Sequence, residues 1–348
     1  MDIGLSLYPG LSGGGPTDMT PFLDRARALG YTRLFCSFHI PETSPELFRQ
    51  QMKMLLQQAA ERHFSIIGDL VPGGEIPVGL THLRLDDGFT PDMVAALQQR
   101  YPEKTLVLNA SCITERALSA YESAGVVLSQ VEALHNFYPH PHTGLSETFY
   151  SRQTRMLQRR GIRVGAFIPS QTGRRGPLFQ GLPTLEKDRN KKAALAMKHL
   201  ALLGTDMVYF GDGAPSVEEL IQVAACSGEI LELTLRIPCF RPGIDDILAQ
   251  HVYEIRPDEA EEVIRTTNSR ALWKDHAIPA LDYGRCHRGT VILDNEGYGR
   301  YKGELAICKT ELPSDRNVNV LGQIPEEEQF LLEYLHGGQK FRLHLAET

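Results

Sequence analysis

The chain has 348 residues, 42% of them hydrophobic and 23% charged, which suits a globular protein large enough for two domains. A formal net charge of −7 excludes a broad basic surface, so neither nucleic acid nor an anionic membrane is an expected partner; one basic pocket for a small anion remains compatible. No run approaches the roughly 18 apolar residues of a membrane helix. MDIGLSLYPG has no positive stretch followed by an apolar run, and the six cysteines show neither CxxC nor zinc-type spacing, so a reducing cytoplasm is the expected compartment, with no cofactor or metal called for.

Taken in order, the chain repeats one unit: a short apolar run, a polar or Gly/Pro break, then a segment of helical period. The runs are 3–9, 33–41, 65–72, 82–88, 105–112, 126–139, 163–170 and 206–213, eight in all. Helix-period segments follow at 18–30, 44–62, 90–101, 114–125, 146–161, 189–204 and 216–228. Ser44, Thr114 and Ser216 stand where N-caps belong, and Gly30, Gly125, Gly161 and Gly204 where helices end. Such alternation implies a parallel sheet covered by helices, and eight units in this length predict a closed (β/α)₈ barrel over residues 1–228. One helix is missing from the pattern, because PGGEIPVGLT (72–81) is too short and too rich in Gly and Pro.

Beyond Gly228 the pattern changes to period two, in 228–238, 289–312 and 340–345, with hairpin punctuation at Asn295-Glu296-Gly297 and one helix-like piece at 325–338. Residues 229–348 are therefore expected to form a small antiparallel β-barrel domain.

In a (β/α)₈ enzyme the reacting groups sit at strand C-termini and on the loops that follow. That rule selects Glu42, Asp69, Asp86 with Asp87, Asn109 with Ser111, His135, Asn136, Tyr138, Glu186, Arg189 and Asp212. Most strand-end acids serve as caps or loop ion-pair partners, and Glu42 and Asp212 read equally well that way. Asp69 and Asp86 lie within apolar runs on adjacent strands, where a charge needs partners. Two such carboxyls can divide into a raised-pKa acid and an ionised base or nucleophile, as glycoside hydrolysis requires.

LHNFYPHPHTGLS (134–146) is the densest polar and aromatic cluster. Pro139 and Pro141 splay His140 and His142, so a metal site with His135 is not expected; Phe137 and Tyr138 suit stacking on a sugar, with His135 and Asn136 bonding hydroxyls. The long loop 170–190 carries Arg174, Arg175 and Arg189, whose guanidinium geometry suits phosphate or carboxylate. GLSGGGP (10–16) has neither nucleotide-binding fingerprint.

GLSLYP, LRLDDGF, LNAS, HNFYP followed by TGL, TLEKDR, FGDGAPS and the C-terminal YKGELAI together resemble a bacterial family once labelled "outer surface protein", which includes a 6-phospho-N-acetylmuramidase. The resemblance spans nearly the whole chain. It implies a glycosidase-type barrel followed by a cyclophilin-like β-barrel, acting on N-acetylmuramic acid 6-phosphate linked to N-acetylglucosamine in peptidoglycan recovery. Carried over by motif, the matching polar positions are Asp69, Asp86, Asn109, His135, Asn136, Tyr138, Thr184, Glu186 and Arg189. Two departures stand out: Asp87 where the family often has an apolar or aromatic residue, and Asp212 where asparagine is more usual. Adjacent acids suit participation by the substrate's acetamido group, but neighbours on a strand point to opposite sides.

The resulting expectation is a cytoplasmic 6-phospho-glycosidase without cofactor or metal, its partner a phosphorylated amino-sugar disaccharide, and compatible with a homodimer. Asp69 and Asp86 are the expected acid pair, with Glu186 in reserve. Asn109, His135, Asn136, Tyr138 and Asp212 are expected to line the sugar site, with Arg174, Arg175 or Arg189 at the phosphate and Lys302 a candidate contribution from the second domain. The alternatives are a sugar-phosphate isomerase, epimerase or aldolase on the same barrel, the last disfavoured because no lysine ends a strand, or a non-catalytic sugar-phosphate binding protein.

Overall fold

The computed structural model describes residues 1–9, 18–37, 45–281 and 284–347, with the backbone alone for 45–47. The glycine-rich 10–16 segment, Pro41-Glu42 and the Ser44 cap lie outside the described residues. The chain divides into two compact units, Met1–Ser227 and Gly228–Thr348.

The first unit is a closed parallel barrel in chain order: β1 (Asp2–Leu7), β2 (Arg33–Cys36), β3 (Ser65–Leu70), β4 (His82–Leu85), β5 (Thr105–Asn109), β6 (Val131–Leu134), β7 (Arg163–Ile168) and β8 (Met207–Phe210). Each strand overlaps a predicted apolar run. β8 closes on β1 with Asp2 opposite Met207. Helices α1 (Thr20–Ala28), α2 (Pro45–Glu61), α3 (Pro91–Arg100), α4 (Glu115–Ser123), α5 (Glu147–Gln158), α6 (Ala193–Leu202) and α7 (Val217–Ala225) separate the strands.

Local chemistry sets the helix ends. Thr114 caps α4 by accepting from Ala117 N, and Ser216 with Glu219 forms a capping box on α7. The four predicted terminal glycines all have φ between +75° and +92°, which a side chain would strain. Between β3 and β4 no helix forms; the connection leaves an apolar groove of about 600 Å³ against α2, lined by Phe48, Met52, Leu56, Pro77 and Val78.

Because strand residues alternate, Leu83 and Leu85 face the helical layer, while Phe35, Ile67, Val107, Leu134, Phe167 and Tyr209 fill the barrel. At the strands' N-terminal ends the inward positions are charged. Arg33 makes a bidentate pair with Glu132 at 2.7 and 2.6 Å, and reaches Asp2 at 3.1 Å and Tyr209 Oη at 3.1 Å.

The second unit is a curled seven-stranded sheet in the order β10-β15-β9-β14-β12-β13-β11, where β9 is Leu231–Ile237, β10 Tyr253–Glu254, β11 Val263–Arg265, β12 Thr290–Asp294, β13 Leu305–Cys308, β14 Val318–Gln323 and β15 Lys340–Glu347. It is not purely antiparallel: β15 runs parallel to β9 over seven registered pairs, from Phe341 opposite Leu231 to Glu347 opposite Ile237. Period two identifies strands but not direction, which is why the sequence could not separate these cases. β12 and β13 pair antiparallel across a 3₁₀ turn at Glu296–Tyr301, and the helix-like piece is a 3₁₀ stretch at Glu326–Tyr334.

Candidate active site

The inward positions of β3 to β6 bring polar groups to the C-terminal mouth of the barrel. Asp69 and Arg84 are register partners on β3 and β4, joined at 3.0 Å. Arg84 is 6% exposed; its second arm donates to Asn136 Oδ1, and its Nε is buried with no acceptor among the described residues. Asn136 N donates to Ser111 Oγ at 2.9 Å, and Ser111 N to Asn109 Oδ1 at 3.1 Å. The Tyr138 phenol lies among Ser111, Asn136 and Arg84, and burial raises its pKa. Asp69, Arg84, Asn109, Asn136 and Tyr138 are thus one connected network across four strands.

Burial pushes the Asp69 carboxyl above the usual aspartate range, and nearby Asp86 adds to this, against the pull of Arg84 and Ser37. Asp86 does not lie within the apolar run as expected: β4 ends at Leu85 and Asp86 is exposed beyond it. With Asp87, Asn109, Cys112, Thr114 and Tyr121 it lines a cavity of about 200 Å³ beside the mouth. The strand-end carboxyls therefore sit in unlike surroundings, one enclosed and paired, the other open to water.

Several expected site residues do other work. His135 is fully buried between Ser111 Oγ and Thr154 Oγ1, each at 3.2 Å, so it has no surface for a sugar. Burial, with Arg84 adding to it, lowers its pKa to about 3, and the ring stays neutral. In the unfolded chain a histidine takes up a proton below about pH 6.5. Stability should therefore fall, by an amount on the order of a few kcal/mol, as pH drops from 6.5 towards 3. His135→Gln is expected to flatten that decline in urea midpoints measured against pH; an unchanged slope would contradict it.

Glu186 accepts from His142 N at 2.9 Å, Gly144 N at 2.8 Å and both Nε and Nη2 of Arg189. These donors, Arg189 first, hold its pKa near 2 against partial burial. A Cβ on Gly144 would stand 2.7 Å from Glu186 N, so only glycine permits this approach. Arg189 is 4% exposed, and besides Glu186 it donates to the carbonyls of Tyr138, Gln180, Gly181 and His140. The TGL and TLEKDR motifs thus form a clasp between the loops after β6 and β7, in which Glu186 and Arg189 are each other's charged partners. Glu186→Gln should accelerate amide exchange at His142 and Gly144; protection equal to wild type would refute the clasp. Thr184 is likewise a backbone staple, accepting from Phe167 N and donating to Asn136 O, each at 2.9 Å.

Asp212 is also enclosed, accepting from the backbone N–H of Ser170, Arg175 and Leu182. Arg174 spends donors on Ser170 O at 3.3 Å and Gln171 Oε1 at 2.6 Å. Lys302 donates to His276 O at 2.9 Å within the second unit. His140 and His142 are exposed, and no His, Cys, Asp or Glu cluster among the described residues can hold a metal. Phe137 packs edge-on to Tyr8, Phe35 and Phe167 and so plugs the barrel beneath the mouth.

Arg84 is not among the site residues expected from the sequence. Its signal was present: a cation in the middle of HLRL, between two apolar residues of a buried strand. Such a charge requires an acid at the same level of the barrel, and Asp69 supplies it.

Two family models match the chain: 6-phospho-N-acetylmuramidase, N-terminal, over residues 3–225, and 6-phospho-N-acetylmuramidase, C-terminal, over residues 232–344. Similar solved structures include an uncharacterized B. cereus protein, 28% identical with a TM-score of 0.88 over 99% of both chains. Another is a conserved Enterococcus faecalis protein of unknown function, 29% identical with a TM-score of 0.72 over 99% of this chain and 96% of that one. Among curated proteins none matches. With both of its units matched, the chain belongs to the 6-phospho-N-acetylmuramidase family.

Proposed function

We propose that this chain is an intracellular glycosidase that hydrolyses N-acetylmuramic acid 6-phosphate linked to N-acetylglucosamine, in recycling of cell-wall sugars. The observation that carries the reading is the unlike pair of carboxyls at the ends of β3 and β4, within a chain of this family. Asp69, with its raised pKa, is the general acid that protonates the glycosidic oxygen. Asp86, exposed at the mouth, is the carboxylate that attacks the anomeric carbon or activates water there. Arg84 holds Asp69 in place, while Asn109, Asn136 and Tyr138 offer donors and acceptors to sugar hydroxyls. Among the described residues no helix is long and apolar enough to cross a membrane, which is compatible with an intracellular site of action.

The test is incubation of the protein with the disaccharide in its 6-phosphorylated and unphosphorylated forms, followed by product analysis. Release of N-acetylglucosamine from the phosphorylated form is the expected result. Cleavage of neither form by folded protein overturns the reading.

A further inference from the structure

Loop 169–182 after β7 is pinned from two sides. Asp212 fixes the backbone N–H groups of Ser170 and Arg175 at 2.9 Å and of Leu182 at 3.2 Å. Glu219, in the first turn of α7, accepts from Gln171 N at 2.7 Å, from Ser170 Oγ at 2.8 Å and from the Thr172 hydroxyl. Gly173 passes so near Ala214 that a Cβ would lie 1.7 Å from its carbonyl oxygen. A basic loop held this way is not a solvated strap, and its arginines are presented in fixed places.

Arg175 is the one whose place is informative. Its guanidinium carbon lies 4.2 Å from the centre of the Tyr8 ring and 5.9 Å from that of Phe137. Tyr8 is itself immobilised, 3% exposed and donating to Gly211 O at 2.5 Å. Arg175 Nε is buried with no acceptor among the described residues, and no carboxylate there forms an ion pair with this side chain. The other arginines of the mouth are engaged: Arg84 with Asp69 and Asn136, Arg189 with Glu186 and four carbonyls, Arg174 with Ser170 and Gln171. A half-buried cation without a carboxylate partner is stabilised by the rings beneath it, and further by an oxyanion placed at its guanidinium.

We propose that Arg175 is a specificity-determining residue that receives an oxyanion of the substrate. This deepens the glycosidase reading above and rests on it for the identity of the sugar. A phosphorylated muramyl unit carries two oxyanions, the 6-phosphate and the lactyl carboxylate, and a guanidinium suits either.

The test compares wild type, Arg175→Ala and Arg175→Lys on three disaccharides: muramyl with phosphate, muramyl without phosphate, and the phosphorylated analogue without the lactyl group. The loss of a charged hydrogen bond predicts that Arg175→Ala reduces the kcat/KM preference for the substrate bearing the recognised oxyanion by about 10–100-fold, with partial recovery in Arg175→Lys. Collapse of the preference for phosphate identifies the phosphate as the ligand, and collapse of the preference for the lactyl group identifies the carboxylate. Both preferences unchanged in a folded variant overturn the proposal. Calorimetric titration with glucosamine 6-phosphate and with N-acetylmuramic acid separates this from the catalytic reading. If wild type cleaves nothing yet binds one of them, and Arg175→Ala binds it at least tenfold more weakly, the hydrolase reading fails and the anion site stands. If wild type binds neither, the anion site is wrong.

Discussion

Asp69→Asn is expected to lower turnover of the phosphorylated disaccharide by about 10²–10⁴-fold, the range that a positioned general acid supplies. The amide keeps an oxygen for Arg84 but has no proton to deliver to the leaving sugar. A substrate whose leaving group needs no proton tests that cause directly. On a 4-nitrophenyl 6-phospho-muramide, Asp69→Asn should lose far less, while Asp86→Asn should be crippled on both substrates because its role at the anomeric carbon remains. The alkaline limb of the wild-type kcat/KM profile should also reflect Asp69, displaced upward because burial raises its pKa. Equal losses on both substrates for Asp69→Asn would move the acid elsewhere, and full activity in both variants would remove this pair from the mechanism.

The second large effect is structural and lies at the opposite end of the strands. Glu132 holds both arms of Arg33 and reaches Arg163 at 3.5 Å. His82 does not share this charge at neutral pH, because burial, with Arg33 and Arg163 behind it, lowers its pKa to about 4 despite Glu132. Glu132→Ala would therefore strand Arg33, only 6% exposed, with Asp2 as its remaining carboxylate. Breaking a buried pair on one side costs about 3–5 kcal/mol, so urea unfolding should show a loss of that size. Replacing both partners with apolar residues, as in Arg33→Met with Glu132→Leu, should cost much less, because no charge is left uncompensated. A single-variant loss below about 1 kcal/mol would mean that water or Asp2 already satisfies Arg33.

The barrel was legible because each unit carries its instructions locally. Apolar runs such as SIIGDL and RVGAFI can only be strands buried on both faces, and Thr114, Ser216, Gly125 and Gly204 mark helix ends through backbone chemistry that needs no distant partner. Even the missing helix was readable, since PGGEIPVGLT cannot hold a helical turn. In the second unit β9, β12, β13 and β15 fall in the period-two runs while β10, β11 and β14 do not, and strand direction was not readable, because β9 and β15 lie more than 100 residues apart and their pairing depends on the path between them.

The candidate site divides in the same way. By itself the sequence determined which residues reach the mouth: strand ends are fixed by the apolar pattern, and alternation puts Asp69, Asn109 and Asn136 on the inward face. Only the tertiary structure decided how each of those polar groups is partnered. Glu186, Arg189, His135 and Asp212 look as reactive in one dimension as Asp69, yet each is held by partners that folding brings near, from Glu186 three residues before Arg189 to the Tyr138 carbonyl 51 residues before it. A buried polar group must be paired, but the sequence does not say with what. Arg84 and Arg175 mark the same limit from the other side, because a buried N–H without an acceptor becomes visible only once every neighbour has been placed.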